Sequence, residues 1–354
     1  MTRFCDVLSY EQPTKYIVDS DLYNDSYEIP VLTAGLTFIL GYTNEKHNFF
    51  DGEKENVIIF DDFTTSTQFV DFKFKVKSSA MKILHANEDI NIRFCYYLLK
   101  TMQYNNPTHK RYWISEFSQK EINLPTIEEQ NQIVDKIMKI EKAIKKCEDN
   151  INDMNKLICS KFNELFGSKL NSKSWNTKKL REIASFHNGK AHEQVVDEDG
   201  EYILITSKAI STDMKDYRKT NKQLYPLKKN DIVMVMSDLP NGRALAKCML
   251  IDMDNKYTLN QRICSFNNYE FEPLFLMHLL NRHDYFLSFN DGNGQTNLRK
   301  EDILDCDVIC PPLNIQKEYA YYVSKINKTI GLEQESLKDL NDLFKFEMIM
   351  IKNL

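Results

Sequence analysis

Two stretches of the chain carry apolar side chains at alternating steps of three and four. In the first, Ile137, Ile144, Ile151, Ile158 and Leu165 hold one seven-residue repeat, and Ile133, Ile140, Cys147 and Met154 hold the other. In the second, Val323, Ile330, Leu337, Phe344 and Ile351 are interleaved with Tyr319, Ile326 and Leu340. A sustained seam of this kind predicts coiled-coil helices, with the Lys, Glu, Asp and Asn between the seam positions facing water. Lys161, Glu333 and Glu347 interrupt the pattern, so the seam should loosen or fix its register there. Each helix of ~40 residues would be ~60 Å long.

The two stretches are copies of one device. They align at a constant offset of 186 residues, so that Pro125 matches Pro311, Ile127 matches Leu313 and Gln130 matches Gln316. Each begins with a proline break and a polar first turn, as a helix start does. Gly167 after Phe166 is a natural stop for the first helix, and a polar linker, residues 168–174, leads onward. Paired antiparallel, the two helices would form a spacer.

The remaining segments, 1–122 and 168–310, have shorter periods. Val57 to Phe60 and Phe69 to Val76 read as strands, and residues 90–102 as a helix. Tyr202 to Ile205 and Asp231 to Met236 read as strands in the second segment, followed by a helix over 272–287. The expected fold class is therefore α+β: two β-rich mixed domains separated by two long antiparallel coiled-coil helices, with an internal pseudo-two-fold repeat.

Composition narrows the function. A hydrophobic content of 42%, with 21 Phe and 18 Tyr, suffices for two real cores. The net charge of −5 argues against coating nucleic acid by charge alone, but leaves site-specific reading open. The eight cysteines form no CxxC pair, so reduced structural thiols are expected rather than a metal or redox centre. Neither a secretory signal nor a membrane span is predicted, which places the expected location in the cytoplasm.

Polar loops in both segments are dense in side chains suited to base edges. Arg fits guanine and Asn or Gln fits adenine in the major groove. The candidates are Thr64, Thr65, Gln68, Lys73 and Arg111 in the first segment. In the second they are Lys190, Arg243, Gln261, Arg262, Gln295 and Asn297. No phosphate-binding glycine loop or dinucleotide fingerprint is present. Asn106-Pro107-Thr108-His109 lacks the second proline and aromatic of an amino-methyltransferase loop. Asp61-Asp62 lacks a third metal ligand, and His85, His187, His192 and His283 show no ligand spacing. No catalytic residue and no metal site is expected.

With these motifs in order, the chain resembles the specificity subunit of a type I restriction–modification system. The Leu124-Pro125 to Gln130 start and its helix resemble the family's central conserved region, and Pro311-Pro312-Leu313 to Gln316 its distal one. Residues 27–43, Phe60 to Thr65 and Lys75 to Met81 resemble one type of target-recognition domain. Trp175, Leu180, Gly189-Lys190 and Leu259 to Arg262 resemble another; the first segment lacks the Trp-x-x-x-x-Leu opening. The resemblance implies recognition domains at 1–122 and 168–310, and conserved helices at 123–167 and 311–354. It implies that each domain reads one half of a split double-stranded DNA target, and that methylation subunits dock on the helices. A motor–nuclease (restriction) subunit joins in systems that cleave. S-adenosylmethionine, ATP and magnesium would sit on those partners, with no cofactor in this chain. The competing reading is a non-catalytic coiled-coil scaffold joining two protein-binding domains.

Overall fold

The computed structural model describes residues 2–33, 37–103, 111–167, 175–239, 242–292 and 294–354. The chain divides into two compact units, Met1–Asp149 with Glu333–Leu354, and Asn150–Leu332. Both divisions fall inside the long helices α4 (Ile127–Phe166) and α10 (Leu313–Lys352).

In the first unit the strands are β1 (Thr2–Arg3), β2 (Leu8–Glu11), β3 (Ile29–Leu32), β4 (Ile39–Thr43) and β5 (Phe50–Asp51). They continue with β6 (Val57–Asp61), β7 (Thr67–Val70), β8 (Lys73–Val76), β9 (Met81–Ala86) and β10 (Glu121–Ile122). One sheet has the order β2-β9-β6-β7, wholly antiparallel. The other has the order β4-β3-β8-β5, with β3 and β8 parallel. Helices α1 (Phe4–Val7), α2 (Ile92–Thr101) and α3 (Tyr112–Ser115) complete the unit.

The second unit repeats this plan. Its strands begin with β11 (Thr177–Lys179), β12 (Ser185–Asn188), β13 (Tyr202–Ile205), β14 (Arg218–Thr220), β15 (Ile232–Val235) and β16 (Ser237–Asp238). They end with β17 (Cys248–Leu250), β18 (Tyr257–Leu259), β19 (Ile263–Asn267), β20 (Thr296–Asn297) and β21 (Asp307–Ile309). Its helices are α5 (Leu180–Ile183), α6 (Ser207–Ser211), α7 (Pro273–Leu280), α8 (Asp284–Leu287) and α9 (Lys300–Leu304). The antiparallel sheet β12-β19-β15-β17 matches β2-β9-β6-β7 strand for strand, and the parallel pair β13·β18 matches β3·β8. The opening ladders β1·β10 and β11·β21 also correspond. Although the first unit lacks the tryptophan opening, Phe4 takes the place of Leu180. Both are fully buried, and each backbone N–H donates to the residue just before the strand that closes its domain, Lys120 and Cys306.

Two expected elements are broken. Phe69 to Val76 is not one strand: Asp71-Phe72 separates β7 from β8, which belong to different sheets. The helix expected over 272–287 is α7 and α8, interrupted where Arg282 takes a left-handed φ of 49°.

The helices pack antiparallel within each unit. In the first, Val134 and Ile137 near the start of α4 share a core with Ile351, Phe344 and Met348 at the end of α10. In the second, Ile158 and the end of α4 pack with Tyr319, Val323 and Ile330 at the start of α10. Ile137, Ile158, Val323 and Ile330 are buried, while Ile144, Ile151, Leu337 and Phe344 are half-buried. The last turns of α4 depart from the heptad. Phe162 and Phe166 are buried instead of Leu165, and their rings meet those of Phe275 and Tyr319. A straight helix drifts ~20° per heptad against a 3.5-residue repeat. The drift is accepted here because burying each phenyl ring gains ~1.5–3 kcal/mol. The polar interruptions are paired: Lys136 with Glu347 at 2.7 Å, and Lys161 with Glu164 at 2.9 Å and Glu318 at 3.8 Å. Glu333 bonds the Cys147 thiol and raises its pKa. Gly167, with φ of 85°, closes the helix by donating to Asn163.

Candidate nucleic-acid interface

At one end of the second unit's antiparallel sheet, hydrogen bonds tie several loops into a single edge. The backbone of Lys190 bridges to Asn260 and donates to Leu259, next to the turn that carries Gln261 and Arg262. The Arg262 carbonyl accepts from Met236, whose own carbonyl accepts from Leu298. Ser237 then pairs with Asn297 in the β16·β20 ribbon. Asp238 folds the following segment back: its carboxylate accepts from the N–H groups of Leu239, Ala244 and Leu245. Gly242 lies against that carboxylate so closely that a Cβ would meet it at 2.1 Å. Arg282 secures the far side by donating to the Arg243 and Leu245 carbonyls. Lys190, Leu239, Arg243, Gln261, Arg262, Gln295 and Asn297 are all exposed along this edge.

The first unit builds its edge with the same bonds. Asp62 N–H donates to Ala80 as Met236 does to Arg262, and Tyr112 N–H donates to Asp62 as Leu298 does to Met236. The turn after β8 also corresponds. Ala80 N–H donates to the Ser78 hydroxyl at 3.3 Å, as Arg262 N–H does to the Asn260 side chain at 3.5 Å. Arg111 therefore stands where Asn297 stands, and it is exposed, as is Thr64 on the turn after β6. Buried chemistry holds the edge in place. Asp62 pairs with Lys82 at 3.4 Å, both almost wholly buried, and accepts from Trp113 N–H at 2.8 Å.

A family model described as the type I restriction modification DNA specificity domain matches residues 4–153 and 172–342. The chain belongs to this family.

Among curated relatives, the Escherichia coli type I restriction enzyme EcoR124I/EcoR124II specificity subunit is 52% identical over 124 residues. That alignment covers 34% of this chain and 31% of that protein, so the chain spans about a third of the relative's length. The S subunit of a type I restriction–modification system from M. genitalium superposes with a TM-score of 0.64 at 14% identity. It covers 99% of this chain and 95% of that one. A second structure, described as the basis of complex assembly and conformational transition of the type I R-M system, gives 0.56 at 14% identity. It covers 99% and 96%. At these identities the two structures show the fold.

Within a family fold of this kind, the sequence-predicted residues separate into two groups. The structure assembles all six candidates of the second domain on one edge, and Thr64 and Arg111 on the edge of the first. Thr65 is corrected: it is fully buried with a φ of 62°, so it shapes the turn and offers no surface. Asp61, Asp62 and Thr67 of the same loop are buried too, with Asp61 accepting from Phe63 and Thr64 N–H. Tyr112 and Trp113, which follow Arg111, belong to the core. Residues 104–110 of that loop lie outside the described residues. Gln68 is half-buried on β7. Lys73 opens β8, beyond the other end of β7 from Thr64. There it pairs with Glu53 at 3.0 Å in a cleft of about 550 Å³ with Glu28, Tyr42, Lys46 and Phe72. The edge does not include it.

Residues the sequence reading passed over do the positioning: Asp238, Gly242, Arg282 and Lys82. A lone aspartate or glycine carries no periodic signal, so these depend on where the chain returns. His192 is a satisfied core histidine, bonded to the Lys190 carbonyl at 2.6 Å and Thr258 at 2.8 Å. Asp19, Glu45 and His47 bring ligand-type atoms within 4.8 Å of one another. Glu45 is already engaged by Lys75 at 2.6 Å and by two backbone N–H groups. Burial drives the Cys95 and Cys306 thiols up to about 12, which keeps them protonated and inert. Among the described residues, no helix is long and apolar enough to cross a membrane.

Proposed function

We propose that this chain is the non-catalytic DNA-specificity subunit of a type I restriction–modification complex. Each unit reads one half of a bipartite double-stranded target. The observation that carries this reading is the exposed edge of the second unit. There Arg243, Gln261, Arg262, Gln295 and Asn297 supply donor and acceptor groups suited to base edges. Lys190 beside them suits a phosphate. The long helices offer methylation subunits a docking face. Leu343, Phe346 and Met350 of α10, at steps of three and four, are exposed and apolar beside the paired seam. Methyl transfer from S-adenosylmethionine, and ATP- and magnesium-dependent cleavage where a restriction subunit joins, belong to those partners.

Mapping methylated bases across the genome, in cells carrying this gene with its methylation partner and in cells lacking it, tests the proposal. A bipartite motif with a fixed unread gap should vanish on deletion. Gene-independent methylation, with no sequence-selective DNA binding by the assembled complex, would sink it in favour of a scaffold.

A further inference from the structure

We infer that Ser79, on the turn between β8 and β9, reads a base in the first half-site and is the counterpart of Gln261. The inference rests on the proposed reading of the second unit's edge and extends it to residues that sequence inspection did not single out.

Three hydrogen bonds fix the correspondence. Met236 to Arg262 matches Asp62 to Ala80, and Leu298 to Met236 matches Tyr112 to Asp62. Arg262 to the Asn260 side chain matches Ala80 to the Ser78 hydroxyl. The first unit's turn is one residue longer, since Val76 pairs with Leu32 as Leu259 pairs with Ile205, and Lys77 is the extra residue before the serine turn. Both turns join the parallel strand of one sheet to the second strand of the antiparallel sheet, β8 to β9 and β18 to β19. Residue by residue, Ser78 stands for Asn260, Ser79 for Gln261 and Ala80 for Arg262.

The chemistry at the three positions divides in the same way. Ser78 spends its hydroxyl on the turn, as Asn260 spends its side-chain oxygen. Ser79 is exposed, and its hydroxyl has no hydrogen-bond partner among the described residues. A serine hydroxyl donates and accepts, and so can address either base of a pair. Ala80, half-buried, replaces the long Arg262 side chain with a methyl group. Two units with one backbone plan thus carry a short reader and a long one at the same place, which suits different half-site sequences. Thr64 and Arg111, exposed on the adjoining connections, complete the first edge.

The test uses the complete subunit with its methylation partners and compares methylation motifs of wild type, Ser79→Ala and the graft S78N/S79Q/A80R. Ser79→Ala should relax base preference about two- to tenfold at one position of one half-site, the worth of one hydrogen bond. The graft should redirect preference at that same position, with the other half-site unchanged in both variants. Arg262→Ala serves as the control on the opposite half. If Arg262→Ala alters one half-site while neither Ser79 variant alters the other, the assignment of Ser79 fails and the edge reading survives. If Arg262→Ala also leaves the motif unchanged, both fall. A change in the Arg262 half-site caused by the Ser79 variants likewise overturns the assignment. Should the graft unfold, Ser79→Ala, a single change on an exposed turn, decides the matter.

Discussion

The side-chain carbonyl of Gln130 accepts a hydrogen bond from the backbone N–H of Asn91 at 2.9 Å, while its amide donates to Pro125 at 2.9 Å. Asn91 is the N-cap of α2, so one glutamine ties the start of the long helix to the start of the domain helix. In the second copy Gln316 accepts from Glu272, the N-cap of α7, at 2.9 Å and donates to Pro311 at 2.7 Å. Both glutamines are buried. The Pro/Gln motif therefore fixes the angle at which each domain leaves its helix.

Gln316→Leu strands the Glu272 N–H and the Pro311 carbonyl. It should cost about 2–4 kcal/mol, since each buried unsatisfied group costs ~1–3 kcal/mol. Gln316→Glu keeps the acceptor but sets a buried carboxylate against the Pro311 carbonyl, and should lose at least as much. Urea unfolding of the three proteins checks the order; equal midpoints would mean that the bonds contribute nothing.

Lys82→Met leaves the Asp62 carboxylate buried without its partner, and such a break typically costs ~3–5 kcal/mol. The double variant K82M/D62N should recover part of that loss, because an amide is cheaper to bury than a charge. A double variant no better than Lys82→Met would contradict the pairing.

Glu347 occupies a buried seam position, and its partner Lys136 is mostly exposed. Replacing a buried charge in such a pair by an apolar side chain is often stabilising. Glu347→Leu should raise stability by about 1 kcal/mol, read as a higher thermal midpoint. A lower midpoint would show that the pair contributes more than its desolvation costs.

Burial pushes the Glu45 carboxyl up, but the bonds from Lys75, Asp19 and Ser20 outweigh it and hold the pKa below the ordinary glutamate value. A carboxylate lowered in the folded state stabilises fully above its unfolded pKa of ~4.3. That contribution disappears as pH falls through the lowered folded value. Wild type should therefore be more stable than Glu45→Gln near neutrality, and the gap should close on acidification. A pH-independent gap in denaturation midpoint would assign the loss to packing.

Arg262→Ala and Lys190→Ala should differ in kind. Losing a side chain that reads a base costs ~1–3 kcal/mol, about five- to 150-fold, against the cognate sequence only. Losing a phosphate contact weakens all sequences alike and reduces the salt slope by about 1. Competition binding of the assembled complex on cognate and scrambled duplexes, at two salt concentrations, distinguishes them. Identical profiles would remove one of the two roles.

The amino-acid sequence by itself determined the repeat and the helices, and supplied the side-chain types found on the edge. Periodicity is a property of residues near one another along the chain, so Ile137, Ile158, Val323 and Ile330 could be placed in the seam without a structure. The offset between Gln130 and Gln316 was equally local, and exposed Arg262 and Asn297 advertised themselves by side-chain type. Tertiary structure decided everything that depends on distant segments meeting. Phe162 and Phe166 leave the heptad because Phe275 and Tyr319 arrive from elsewhere. Thr65 is buried because its turn closes inward, and Lys73 leaves the edge because Asp71-Phe72 moves the chain to the other sheet. The equivalence of Ser79 with Gln261 is of this kind. Their neighbours share no residue type, and only the hydrogen bonds of two folded sheets align them.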